Sequence, residues 1–316
     1  MKSMARPQLN IVTLDFIAGD PGQMIIDIPR ALSLYNRKSY RSGYVYSVDY
    51  IEYIGTANDI ITIAKLPTTY GILAAYKTAF KLWREQRAAT IEDTGIEPGK
   101  WSDFKPYYNQ EHLIAGGVGG WPELLPKGMG AGLLLQDLDT VGAEWNRAEI
   151  VTNDFAAATT ATYFVGMLGD DDITGGYVSV MDGYGDTRSP TLSPDPLVPQ
   201  IASSSWMTMT GEESREMAVD VIDLVESEND QPPYANQPDI TLPPTYVGNG
   251  QSATYGIMVD TATVGSTGRS VTLDGGLIPL GLLAISTAGV GSGTIRVHLT
   301  RGTYKGVAAL PMGDFR

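Results

Sequence analysis

The chain has 316 residues, 43 % of them hydrophobic, enough for one large β domain or two smaller ones around a packed core. It has no cysteine, which excludes disulfides, a thiolate nucleophile and Cys-ligated zinc, and only two histidines, His112 and His298, which excludes a three-His metal site within one chain. The net charge of −14 is unevenly spread: residues 1–100 carry 12 Lys+Arg against 10 Asp+Glu, and residues 101–316 carry 10 against 26.

An acidic chain does not bind nucleic acid over its whole surface. The early part keeps a small basic cluster, Arg30, Arg37, Lys38 and Arg41, as the candidate to face a nucleic acid; the same residues would also serve as a solvated patch. The first residues, MKSMARPQLN, lack the apolar region of a signal peptide. No run reaches the roughly 18 apolar residues of a membrane span, so the expectation is a protein made in soluble form. The 36 glycines and 19 prolines, with abundant Thr, Ser, Val, Ile and Tyr, suit short strands joined by turns and long loops.

In chain order, strands are predicted over 9–17 and 24–28. A long one follows over Tyr44 to Ile54 (YVYSVDYIEYI), and another over Ile60 to Leu66, stopped by Pro67. The clearest helix spans about 69–87. Leu73, Tyr76, Phe80 and Trp83 form an apolar stripe along it, and Lys77, Lys81 and Arg84 form a basic one on another face. If Trp83 is core, its replacement by Ala weakens folding by about 3–5 kcal/mol.

Residues 91–131 form a long Gly/Pro/aromatic region. Its Trp101, Tyr107, Tyr108 and Trp121 are candidates for burial against another copy of the chain. Strands resume over 148–152, 161–168 and 177–181. Residues 186–202 read as an extended Pro/Ser-rich arm, and Thr210 to Glu213 has the spacing of a capping box that opens a helix to about Val225. Strands over 255–259, 270–273, 282–286 and 294–300 close the chain. About ten to twelve strands with two helices inserted among them argue for a sandwich or barrel and against a doubly wound α/β fold.

Chemistry is sparse. Gly128-Met-Gly130-Ala-Gly132 follows no strand and has the wrong third spacing for a dinucleotide loop. Asp170, Asp171 and Asp172 are weak candidates for a Ca²⁺ site, with Asp182 and Asp186 close in sequence, but adjacent acids lack the alternating ligands of an EF-hand. His112 and His298 read as packing or hydrogen-bonding residues. No catalytic residue and no cofactor site is assigned, and the chain is expected not to be an enzyme.

Several segments together resemble one family. They are Ala75–Trp83 (AYKTAFKLW), Lys100–His112 (KWSDFKPYYNQEH), Gly142–Val151 (GAEWNRAEIV), Phe164–Asp171 (FVGMLGDD), Asn229–Tyr234 (NDQPPY), Leu277–Ile285 (LIPLGLLAI) and Gly302–Met312 (GTYKGVAALPM). In this order, over about residues 40–312, they are similar to the jelly-roll capsid proteins of small circular single-stranded DNA viruses, known mostly from environmental sequences. The resemblance implies an all-β fold: an eight-stranded antiparallel jelly-roll sandwich with two inserted helices and long loops. It implies self-assembly into an icosahedral homo-oligomeric shell, enclosure of a DNA genome, and localisation to the virion. Residues 1–40 are expected as an N-terminal arm and first strand region, and 41–316 as the capsid domain with loop insertions at 91–131 and 186–245.

The chain departs from the family in lacking a long Arg/Lys-rich arm. Only Lys2, Arg6 and the 30–41 cluster are available for packaged DNA. The acidity instead predicts assembly without nucleic acid. It also keeps open a double jelly-roll coat protein of a membrane-containing phage. From another class, the exposed aromatics keep open a glycan-binding β-sandwich module, with a hydrolase third.

Overall fold

The computed structural model describes residues 10–19, 22–95, 103–114, 119–127, 145–153, 160–172, 174–187, 206–209, 256–266, 269–289 and 293–314. In chain order the first elements are β1 (Thr13–Ala18), β2 (Gly22–Asp27), α1 (Ile28–Asn36), β3 (Tyr44–Ile54), β4 (Ile60–Lys65), α2 (Tyr70–Thr94), α3 (Gln110–Ile114) and β5 (Glu123–Leu124). Then come β6 (Glu149–Asn153), β7 (Thr160–Gly166), β8 (Tyr177–Ser179), α4 (Val180–Asp186) and α5 (Trp206–Met209). The last are β9 (Ile257–Thr263), β10 (Ser270–Pro279), β11 (Leu282–Ala288), β12 (Gly293–Leu299), β13 (Arg301–Gly302), β14 (Gly306–Val307) and β15 (Ala309–Pro311). Their contacts divide the chain into two units: Met1–Lys65 with Pro122–Val141 and Met258–Asp314, and Leu66–Trp121 with Gly142–Ile257 and Phe315–Arg316. Apart from Phe315–Arg316, the second comes in sequence after β4 and before Met258, interrupted by Pro122–Val141 of the first.

The first unit is a sandwich of mainly antiparallel sheets, in agreement with the expected all-β class. One sheet has the order β1-β12-β3-β10, with β15 also paired to β3; the other has β5-β2-β11-β4-β9. The sequence writes this architecture as alternation. In β1 and β12 every second residue is buried, and strict period-2 burial puts one row of side chains in the core and the other outside. Leu14, Phe16, Ile26, Val48, Ile51, Tyr53, Ile63, Ile285, Ile295 and Val297 fill the core, all at or near zero exposure. The outward row is polar: Arg296 donates to both Asp15 oxygens (2.7 and 3.3 Å) and to Glu52 (3.2 Å) across three neighbouring strands.

Pro122–Lys127 ties the edges of the two sheets together. β5 pairs in parallel with β2, and Lys127 N–H donates to Asp15 on β1 at 2.6 Å. β3 and β10 keep one register along their whole length, Asp274 facing Tyr50 and Gly276 facing Val48. Between them sits Gly275, where a Cβ would lie 2.3 Å from the Val48 carbonyl oxygen, so only glycine fits without moving backbone.

The second unit holds the 25-residue helix α2, which packs on α4 and β6, and a three-stranded sheet in the order β6-β7-β8. The predicted stripe is real: Tyr76, Phe80 and Trp83 each meet the ring of Phe104, with centroids 5.7, 6.0 and 5.6 Å away. The helix runs further than expected and stops at Gly95, which adopts the left-handed conformation (φ 65). Trp83 is only half-buried, with Arg87 over its ring, so its replacement by Ala is expected to cost about 2 kcal/mol, below the fully buried case, read as a shift of the urea midpoint.

Within the first 40 residues β1 and β2 overlap the strands expected over 9–17 and 24–28, and a helix that was not expected, α1, follows them. α1 begins because Asp27 caps it, accepting from Arg30 N–H at 2.9 Å, with Pro29 in its first turn. The strand expected over 177–181 ends at Ser179, whose hydroxyl accepts from Asp182 N–H and opens α4. The helix expected over 210–225 and most of the 186–245 insertion lie outside the described residues.

Candidate functional site

The basic residues of the early cluster are sorted by the fold. Arg30 is buried and paired with buried Glu123 at 2.6 Å, so it does not belong to a surface that receives a partner; its place on the inner side of α1 decides this. Arg37 and Arg41 are exposed, and Lys38 is half-buried with its ammonium donating to Asn10 Oδ1 at 2.7 Å.

A fourth cation joins them from far along the chain. After β12, the short β13–β14 hairpin carries Tyr304 and Lys305 at its tip. Asn10 Nδ2 and Tyr40 Oη both donate to the Lys305 carbonyl, the latter at 2.8 Å, and the Lys305 ammonium donates to the Ser39 carbonyl. Arg41 N–H donates to Tyr304 Oη at 3.1 Å. Three segments, at residue 10, at 37–46 and at 304–306, thus form one patch.

Its floor is aromatic. Tyr304 stacks on Tyr44 with centroids 4.2 Å apart, and the edges of Tyr40 and Tyr46 meet it at 6.0 and 6.4 Å. The Lys305 ammonium stands 5.2 Å from the Tyr304 centroid and 5.7 Å from that of Tyr40, within cation–π reach. Partial burial, then the charges of Arg41 and Lys38, hold the Lys305 ammonium below its ordinary pKa. Among the described residues no carboxylate lies within ion-pair distance of Arg37, Lys38, Arg41 or Lys305. Arg37 (φ 52) and Lys305 (φ 50) are both left-handed, a conformation uncommon for non-glycine residues and one that tends to persist where function holds it.

The carboxylates of Asp171 and Asp172 are engaged in shaping their own turn. Asp171 accepts from Ser179 N–H (2.5 Å), and Asp172 accepts from Gly175 N–H (2.9 Å) and from the Gln110 amide. Asp182 accepts from Asp171 N–H at 3.1 Å; burial first, and the Asp170 charge after it, push its pKa up. No group of three or more potential metal ligands comes together among the described residues. Of the interface candidates, Tyr108 and Trp121 are buried within their own unit, 6.4 Å apart, and are not available to another copy. Tyr107 is half-buried, edge-on to Phe164 and His112. Trp101 and Asp186 have no described side chain. His112 is buried and Nδ1 accepts from Tyr108 N–H (3.1 Å), while His298 stacks on Tyr50 at 4.1 Å.

Reasoning from sequence missed Tyr304 and Lys305. The signal available was the GTYKG segment, a turn carrying an aromatic and a cation. No family model matches the chain, no curated protein is similar to it, and no solved structure matches it. No helix among the described residues is long and apolar enough to cross a membrane.

Proposed function

We propose that this β-sandwich protein is a structural protein, a coat subunit that assembles with copies of itself into a closed shell around a DNA genome. The observation that carries the reading is strand order. Numbered along the chain, the eight long strands of the sandwich run 1-8-3-6 in one sheet and 2-7-4-5 in the other. That is the order two nested Greek keys produce when a folded ribbon of paired strands is rolled up, the jelly-roll arrangement used by viral shells as well as by lectins and cupins. The likeness of the sequence segments to single-stranded DNA virus capsids selects the first of these uses. The chain between β4 and β9, apart from the segment that adds β5 to the sandwich, would then be a large insertion available for contacts between copies.

The double-barrel alternative is less well supported: the described elements of the second unit are a long helix and a three-stranded sheet, not a second eight-stranded sandwich. The glycan-binding alternative shares the sandwich and is separated by experiment. Purified protein viewed by negative-stain electron microscopy and sized by light scattering is expected to give closed, uniform particles of many copies. A monodisperse monomer at all concentrations would overturn the shell reading, and retention of that monomer on immobilised glycans would favour the module.

A further inference from the structure

We propose that the patch formed by Lys38, Arg41 and Lys305 beside the half-buried Tyr44 and Tyr304 rings binds single-stranded nucleic acid, the cations taking backbone phosphates and the exposed parts of these two tyrosines meeting the bases. The proposal deepens the coat-protein reading by giving the enclosed polymer a seat, but its geometry stands without it.

Three features meet there. Like charges are held together with no carboxylate partner among the described residues, in a chain whose overall charge is strongly negative. A protein gains nothing in stability from such a cluster; burial is the larger cause of the lowered pKa of Lys305, and the Arg41 and Lys38 charges lower it further. An anion placed among the three would relieve the repulsion.

The positions are also fixed rather than trailing. Asn10 ties the Lys38 ammonium to the Lys305 backbone, and Tyr304 is tied to the Arg41 backbone. Among the described residues Arg37 and Lys305 are two of the four non-glycine residues with positive φ, so the loop bearing the first cations and the hairpin tip bearing the last are both bent in a costly way at this patch.

Stacked tyrosines beside the cations select a single strand over a duplex. Bases stack on aromatic faces only when they are not already stacked in a helix. Cations set among aromatic rings are the general means by which proteins hold single strands without reading sequence.

The test is fluorescence anisotropy with fluorescein-labelled oligothymidylate at stepped NaCl concentrations, on the full chain and on Lys305→Gln, Arg41→Gln and Lys38→Gln. The wild type is expected to bind at low salt. Each substitution should weaken binding several-fold and reduce the slope of log affinity against log salt by about 0.7, the share of one phosphate contact on a single strand. Lys77→Gln, on the basic stripe of α2, should leave both unchanged. The melting temperature of Arg41→Gln should equal or exceed the wild type, because a repulsive charge is removed; Lys38→Gln and Lys305→Gln also lose the ammonium hydrogen bonds to Asn10 and Ser39, so they are expected to melt slightly lower while remaining folded in the assay.

No binding by the folded wild type, or an equal loss from Lys77→Gln, would overturn the proposal. So would a labelled duplex that binds as tightly as the single strand. Negative-stain images of the same samples separate this result from the shell reading: particles with patch-independent binding sink the patch alone, and patch-dependent binding without particles sinks the shell alone.

Discussion

Replacing Glu123 by Ala is expected to destabilise the protein by about 3–5 kcal/mol, the loss typical of breaking a buried ion pair from one side. Arg30 and Glu123 have side chains only 6 % and 9 % exposed and meet at 2.6 Å. Removing the carboxylate strands a guanidinium, which cannot lose its proton to escape burial. The cost is that of an uncompensated charge, not the net worth of the pair. The double variant Arg30→Met with Glu123→Leu is therefore expected to recover most of the loss. Urea unfolding of the three variants checks this, provided it is followed at a protein concentration where no particles form. A Glu123→Ala midpoint within about 0.5 kcal/mol of wild type, the range of neutral surface changes, would mean that the pair is not buried as described.

The pair has a structural consequence. Glu123 sits on β5, the short strand that Pro122–Lys127 adds beside β2. Loss of the pair is expected to free this segment first, so amide exchange should rise at Ile25, which donates to the Pro122 carbonyl at 2.9 Å, before it rises in β11 or β12.

Tyr53→Ala is the second large effect, expected at about 3–5 kcal/mol for a buried aromatic. The ring is 1 % exposed and lies directly over two glycines. A Cβ at Gly55 or Gly293 would come within 2.5 or 2.3 Å of it, so both positions are kept small to seat the ring. Its hydroxyl donates to Asp59 Oδ2 at 3.3 Å, an oxygen that also accepts from Thr56 N–H (2.8 Å) and Thr56 Oγ1 (2.7 Å). Tyr53→Ala thus opens a cavity and removes one donor from a buried carboxylate. Tyr53→Phe keeps the ring and is expected to lose only about 1 kcal/mol.

Tyr53 also makes stability pH-dependent at the alkaline end. Burial first, then the Asp59 charge and hydrogen bond, push its pKa up to about 12 from 10.0. The folded state holds this proton more tightly than the unfolded chain does. The contribution to stability is therefore complete below pH 10.0 and is lost as pH rises toward about 12. Tyr53→Phe should show a shallower fall in melting temperature across that window. The fall should not vanish, because burial also raises the pKa of Tyr76, Tyr108 and Tyr177.

The strands of the sandwich were legible because they are rich in β-branched and aromatic residues and bounded by turns, and β1 and β12 alternate strictly as well. β3 matches its expected bounds, and the starts of β4, β10 and β11 coincide with theirs. α1 was not legible as a helix, because its first residues continue the apolar run of β2; the cap at Asp27 and the proline at 29 were the signals passed over. The basic cluster was half legible. Four cations near residues 30–41 stand out by eye, yet their spacing does not reveal that Arg30 turns inward to Glu123. Nor does it reveal that Lys305, joined to Asn10 across 295 positions, turns toward Lys38 and Arg41.

By itself the sequence determined the β-rich class, the long aromatic helix and the want of cysteine chemistry, because each follows from local composition and periodicity. Which strands lie side by side, which aromatics of 101–121 serve the chain's own core, and which cations share one patch were decided only by tertiary structure. Those choices depend on register and chain reversal between distant segments, and no local preference of a residue encodes where a segment hundreds of positions away will come to rest.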